Sequence, residues 1–500
     1  MPRLEITAAP PAALAARLAA DAVASRTAAA PGWAAAPRTS RPLAGHVAAL
    51  REQLRVAGLV RVLLVTADGV GMAAELLAGP HARLTVLDTT DPAEVADALA
   101  GDLEATALVV SLPPGADPTG PALVWDAVES ALRAAAGGGE RGPRTVVVTP
   151  PDGPLHARAH AAGATVVLGA PDVTGPWAAL SAYALVPAGL AGAEPEPLLG
   201  EAVAAREALA ADDPANPAVV LGALLAGAGS VVWRADDPFA EWAAGLVGAA
   251  LGGRGPVPVV VESAGAPGWD TAALRVGAGG DARPEGGVAE RIVLWQHAVA
   301  AAAHLLEVDP APGTEVAVPA RAAPPRPQAG RRDGDVEVHA GAGVAGTGVA
   351  GALRGLLAAI GTGADAHLAV HAYLDREADA SAAVLRAELA RRTGLTTSFG
   401  WAPRCLSGAG RWVGGAGHTG VLLLTGDPEP GTDPALSRLA EHQQAQAVAE
   451  AAGLARRGCP VLRLHLTDRL AGLVAVAKAV QALPPAPGPP RPDPEPDSEG

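Results

Sequence analysis

Short apolar runs recur along this chain and are separated by helix-length stretches with apolar residues on one side. In the first third, the runs over 61–66 (RVLLVT), 83–88 (RLTVLD), 105–111 (ATALVVS), 144–149 (RTVVVT) and 164–168 read as buried strands. Helices are predicted between them over 72–78, 92–100, 122–136 and 154–162. Asp91 is placed to cap the second of these, with Pro92 in its first turn. Strands that are apolar throughout, alternating with helices roughly every 25 residues, predict a parallel sheet covered on both faces.

Helices over 176–191 and 198–211 lead into a second half where the pattern restarts. It predicts helix 216–226, strand 230–234, helix 238–251, strand 257–262 and helix 291–307. Further strands are predicted over 335–340, 366–374, 421–424 and 460–466, with helices over 349–360, 378–392, 434–457 and 468–483. The fold class is therefore α/β: two tandem doubly wound lobes, each a parallel-sheet α/β/α sandwich. An Ala-rich helix over 11–29 precedes them. The predicted organisation is a helical extension over 1–45, a first lobe over 46–195, the start of a second lobe over 196–309 and its remainder over 336–483. A Pro/Arg-rich linker over 310–335 interrupts the second lobe, and a disordered tail over 484–500 follows it.

Composition adds exclusions. Hydrophobic residues make up 49% of the chain but aromatics only 3%, so the core must be built from many small, close-packed side chains. The net charge of −15, with no basic run, argues against nucleic-acid binding. Cys405 and Cys459 have no metal-ligand spacing and fit a reducing, cytoplasmic setting. The uncharged stretch 217–233 nears membrane length, but glycines divide it into a helix and a strand, so no membrane span is predicted. No cofactor is expected. Gly341, Gly343 and Gly346 match G-x-G-x-x-G, with Asp365 about 20 residues on, yet a tight strand-to-helix turn explains them as well. His367 and His371 share one strand face and lack a third metal ligand.

The stretch 396–427 (TTSFGWAPRCLSGAGRWVGGAGHTGVLLLTGD) is glycine-rich, short of charge and closed by an apolar strand. Together with LTVLDTTDPAEV (84–95), APDVTGPWAALSAYALVPAGLAG (170–192), NPAVVLG (216–222), HLAVHAYLDRE (367–377) and PVLRLHLTDR (460–469), it resembles the glucose-6-phosphate isomerase family, in its actinobacterial form. The resemblance spans about 59–483 and implies two sugar-isomerase (SIS) lobes. The activity it implies is interconversion of glucose 6-phosphate and fructose 6-phosphate, in glycolysis and gluconeogenesis, through an enediol.

The reactive positions depart from the family pattern. Asp68, Gly69 and Val70 stand where the family has Gly-Gly-Ser. The phosphate loop becomes Ser111, Leu112, Pro113, Pro114, Gly115, Ala116 and Asp117. Gly175 and Pro176 replace the end of Gly-Gly-Arg, so the cation is lost. Gly245 and Ala249 replace a glutamine and the catalytic glutamate, and Gln443 replaces a lysine. The resemblance thus implies family membership with lost or much reduced catalysis; the alternative is a non-catalytic sugar-phosphate-binding or partner-binding protein of central carbon metabolism. The remaining acid/base candidates are His442, His418 and Glu262, with Asp68 and Asp117 behind them. Candidate substrate contacts are Gly69, Ser111, Gly115, Gly175, Ser407 and Thr419, and Trp401 and Trp412 flank the same glycine-rich stretch. A sugar phosphate is the expected ligand class. A homodimer, or a complex with a carbohydrate-metabolism enzyme, is the expected partnership.

Overall fold

The computed structural model describes residues 1–8, 10–135, 144–310, 330–363, 365–413, 418–428, 431, 433 and 436–485. The expectations for the centre of the linker, for 486–500 and for Gly414, Gly415 and Gly417 lie outside the described residues.

The chain opens with β1 (Arg3–Ile6). The first lobe follows as β2 (Arg61–Thr66), β3 (Leu84–Leu87), β4 (Thr106–Ser111), β5 (Thr145–Thr149) and β6 (Thr165–Leu168), all parallel in the order β3-β2-β4-β5-β6. Order reverses beside β2, so the carboxyl ends of β2 and β4 flank a crevice of the kind that takes ligands in open sheets. Helix Thr119–Ala135 buries Val124, Trp125, Val128 and Leu132 against one face. Helix Ala182–Leu190 covers the other and is buried at every position.

Strands β7 (Ser230–Arg234), β8 (Val257–Val261), β9 (Leu274–Val276) and β10 (Ala282–Glu285) form a second sheet in the order β1-β10-β9-β7-β8. Within it only β1 is antiparallel. The third sheet holds β11 (Arg331–Asp333), β12 (Val336–Ala340), β13 (His367–Tyr373), β14 (Thr396–Trp401), β15 (Thr419–Gly426) and β16 (Val461–Leu466). Its order is β11-β12-β16-β15-β13-β14, with β11 and β12 antiparallel at one edge.

The molecule is thus an α/β protein with tandem, mainly parallel sheets. Strands of the second half lie in two sheets that share a core. Edge strands β8 and β14 run side by side, and Val232, Val259 and Val261 pack with Ala369, Val421 and Leu423. β1 falls inside the stretch expected to be helical. It pairs with the exposed edge of β10, whose backbone groups supply the partners that RLEI lacks locally.

Small side chains set the helix packing. A Cβ on Gly222 would lie 2.7 Å from Ala301 Cβ and 2.8 Å from the Ala298 carbonyl oxygen. Helices Pro217–Gly227 and Val288–Leu306 therefore meet almost backbone to backbone. The uncharged stretch at 217–233 divides into the first of these helices and β7. No helix among the described residues is long and apolar enough to cross a membrane.

Candidate functional site

The carboxyl ends of the first and third sheets face each other, and the contact is ionic. The segment after β3 carries Asp88 and Asp91 in its loop and Glu94 in the first turn of the next helix. Arginines just beyond the strands of the third sheet answer them. Arg404, after β14, donates to Asp88 at 2.7 Å and Glu75 at 2.5 Å. Arg376, after β13, donates through Nε to Glu94 at 2.9 Å and lies 3.5 Å from Asp88. Arg469, after β16, donates to Asp91 at 2.8 Å, to Asp379 at 3.0 Å and to the Asp427 carbonyl at 2.8 Å. Asp91 is fully buried, and its other oxygen caps helix Pro92–Leu99 through the Ala93 and Glu94 amides. These three arginines were not singled out from the sequence. Their signal is position: each follows a strand by only a few residues.

Beside this seam the loops after β2 and β4 pack against the segments around Pro176, Ser407 and His442. Asp68 and Gly69 follow β2 in left-handed conformations, φ +58° and +77°. A Cβ on Gly69 would sit 3.3 Å from Pro176 Cγ and 3.6 Å from Ser407 Oγ, so glycine lets the three segments converge. Gly175 is also left-handed, and a Cβ there would lie 3.8 Å from the Asp68 carbonyl. Gly120, at the start of the helix after β4, faces His442 Nε2, which would be 3.3 Å from a Cβ at that position. Gly115 stands third in a turn closed by the Ala116 amide on the Pro113 carbonyl. Its φ of +81° after Pro114 is the type II requirement.

Burial pushes the Asp68 carboxyl up to about 6; Arg411 opposes the rise and Asp117 adds to it. Burial lowers the His442 imidazole, against the pull of Asp117. Neither Ser407 Oγ nor His442 Nε2 has a hydrogen-bond partner among the described residues. Asp68 is thus linked electrostatically to Arg411 and Asp117, Asp117 to His442, and Ser407 lies beside Gly69, with its hydroxyl oxygen and His442 Nε2 both buried.

The other sequence candidates lie elsewhere. Ser111 donates its hydroxyl to the Tyr183 carbonyl at 2.7 Å, inside the first lobe. Glu262 accepts a two-pronged bond from buried Arg386, with Nε at 2.8 Å. His418 is exposed and Thr419 buried, both at the amino end of β15, opposite the end that faces the first lobe. Trp412 packs edge-on against His367 at 5.0 Å, and Trp401 against Phe399 at 5.0 Å. His367 meets Ser398 at 2.9 Å while His371 meets Glu450 at 2.6 Å, so the two histidines have separate partners. No group of three metal-binding side chains occurs among the described residues. At the G-x-G-x-x-G turn, Asp333 accepts the Val349 amide at 2.8 Å. A carboxylate thus already occupies the helix terminus that a dinucleotide phosphate would use.

The positions that the resemblance assigns to reactive groups are part of the packing. Ala249 is 4% exposed within helix Ala240–Leu251. Pro176 is buried against Gly69, and its carbonyl accepts from Trp242 Nε1 at 3.2 Å. Gln443 is buried and donates to Asp91 at 3.2 Å.

No protein-family model matches the chain, and no curated protein matches it. Solved structures similar to it include a hypothetical protein, TT0462, from Thermus thermophilus, at 17% identity and TM-score 0.38, covering 96% of this chain and 92% of that one. Another is a glucose-6-phosphate isomerase from Chlamydia trachomatis, at 13% identity and TM-score 0.31, covering 92% of this chain and 72% of that one. Both likenesses are weak. What the chain does has to be argued from its own residues.

Proposed function

We propose that this chain is a relative of glucose-6-phosphate isomerase that retains a small-ligand cleft between its lobes but not aldose–ketose isomerisation. The observation that supports this reading is the fate of the three reactive positions. Ala249 has no proton-accepting group, Pro176 has no charge, and the Gln443 amide is engaged with Asp91. Isomerisation through an enediol needs a base within hydrogen-bond reach of the carbon-bound proton. Its oxyanion also needs fixed donors. The ligand class that goes with the reading is a sugar phosphate. The setting is cytoplasmic central carbon metabolism, as a binding subunit that pairs with itself or with a carbohydrate-metabolism enzyme.

A second reading has its own observation. Asp68, held near 6, and His442, whose Nε2 is buried without a hydrogen-bond partner among the described residues, both interact with Asp117. A carboxyl raised toward neutral pH near a histidine is a candidate acid/base pair. An isomerase assay on fructose 6-phosphate, coupled to oxidation of glucose 6-phosphate, separates the two. The first reading expects no turnover above background, together with sugar-phosphate binding that His442→Ala or Ser407→Ala weakens. Turnover that disappears in Asp68→Asn or His442→Ala would establish the second. Absence of both turnover and binding would refute both.

A further inference from the structure

On the surface of the first lobe, two histidines face each other. His156 and His160 stand one turn apart in helix His156–Ala161, which joins β5 to β6. Side chains four residues apart lie on one helix face. Their Nε2 atoms are 3.2 Å apart. His160 is exposed and His156 partly so, which leaves the pair open to solvent. The helix beneath them is anchored by Ala159 and by Leu155 just before it, both buried. Arg158, between the histidines, is engaged elsewhere. It stacks on Trp125 at 3.8 Å and donates to Asp126 at 2.8 Å and to the Ala122 carbonyl at 3.3 Å. Its guanidinium is thus held against helix Thr119–Ala135.

A contact of 3.2 Å between ring nitrogens fits a hydrogen bond from one neutral imidazole to the other. It also fits two donors spaced for a common ion. Ring orientation separates the two. The centroids are only 4.8 Å apart, with the planes at 62°, which is closer than two rings set in line across a 3.2 Å contact can be. The rings splay from the nitrogens at an angle, as two ligands radiating from one ion do. An ion bonded to ring nitrogens at about 2.0–2.1 Å holds two of them about 2.9 Å apart at a right angle and about 3.3 Å apart at the tetrahedral angle. The observed spacing falls between these. No third metal-binding side chain groups with the pair among the described residues, so the remaining coordination positions fall to water or an incoming ligand.

We propose that His156 and His160 form a two-ligand site for a divalent late transition-metal ion. Imidazole donors suit Cu²⁺, Ni²⁺ and Zn²⁺, and Cu²⁺ binds the same donors most tightly. The bound ion ties together one turn of a six-residue helix, a length at which helices are marginal without outside support. The proposal is independent of the sugar-phosphate reading.

Calorimetric titration of the full chain with Cu²⁺, and separately with Zn²⁺, tests it. Cu²⁺ is expected to bind more tightly than Zn²⁺. His156→Ala and His160→Ala should each weaken Cu²⁺ binding about tenfold or more, because the second donor on the turn binds intramolecularly. His160→Ala combined with Ala161→His keeps the number of histidines but moves one ring round the helix, and should bind no better than His160→Ala alone. His46→Ala, at another exposed histidine, should leave binding unchanged. The proposal is overturned if wild type binds Cu²⁺ no more tightly than His156→Ala does, or if Zn²⁺ binds more tightly than Cu²⁺. It is also overturned if the relocated histidine keeps wild-type affinity, or if His46→Ala weakens binding as much as His160→Ala does.

Discussion

Replacing Asp68 by asparagine should stabilise this protein at neutral pH and do so less as the pH falls. The side chains are nearly isosteric, and asparagine tolerates the left-handed backbone at φ +58°. The change therefore removes a charge and little else. Burial raises the Asp68 carboxyl from its ordinary 3.8 to about 6. A carboxyl raised on folding contributes stability that is fully present below its unfolded value. That contribution is lost as pH rises through the folded value. At 1.36 kcal/mol per pH unit, the gap corresponds to about 3 kcal/mol, and partial solvent access at the loop trims it to about 2–3 kcal/mol. Urea unfolding of both proteins from pH 4 to pH 8 measures the difference. The asparagine variant should match wild type near pH 4, gain between about pH 4 and 6, and hold a steady advantage above that. A difference that does not vary with pH, or a less stable variant at pH 8, would refute the account of Asp68 as a carboxyl held out of water beside Asp117.

Arg469→Met leaves the fully buried Asp91 with only neutral donors and should cost about 3–5 kcal/mol in denaturant unfolding, the usual penalty for stripping one partner from a buried pair. Two glycines predict opposite outcomes in thermal melts. Gly222→Val drives side-chain atoms into the Ala301 helix and should destabilise by about 1–3 kcal/mol or more, whereas Gly200→Ala, in an open helical position, should stabilise by about 0.5–1 kcal/mol.

The alternation of apolar strands and helices in the first lobe was legible because its central strands β2, β4 and β5 are buried on both faces and read as continuous apolar runs. Strands β9 (LRV) and β10 (ARPE) were not legible. They are short, charged and set among glycines, and they exist because β7 and β1 supply partners from distant sequence. β1 was hidden for the same reason. Among the residues singled out from the sequence, Gly69 packs beside Ser407 and Gly175 beside the Asp68 carbonyl, while Asp117 interacts with both Asp68 and His442. Glu262 ends an apolar strand as an active-site acid would, but nothing local reveals Arg386, 124 residues away, as its partner. Arg376, Arg404 and Arg469 belong to the same kind of long-range pairing. Sequence spacing marks their position after strands but not the carboxylates of the other lobe that they meet.

The central claim is that proton abstraction from the sugar has been lost, and solvent-deuterium exchange tests it without requiring net isomerisation. Fructose 6-phosphate would be incubated with the full chain in D₂O and followed by proton NMR at the carbon-1 signals, where enediol formation replaces hydrogen by deuterium. The predicted result is no exchange beyond the protein-free control. Exchange above that control, abolished by Asp68→Asn or His442→Ala, would contradict the claim and make the Asp68–His442 cleft an active site.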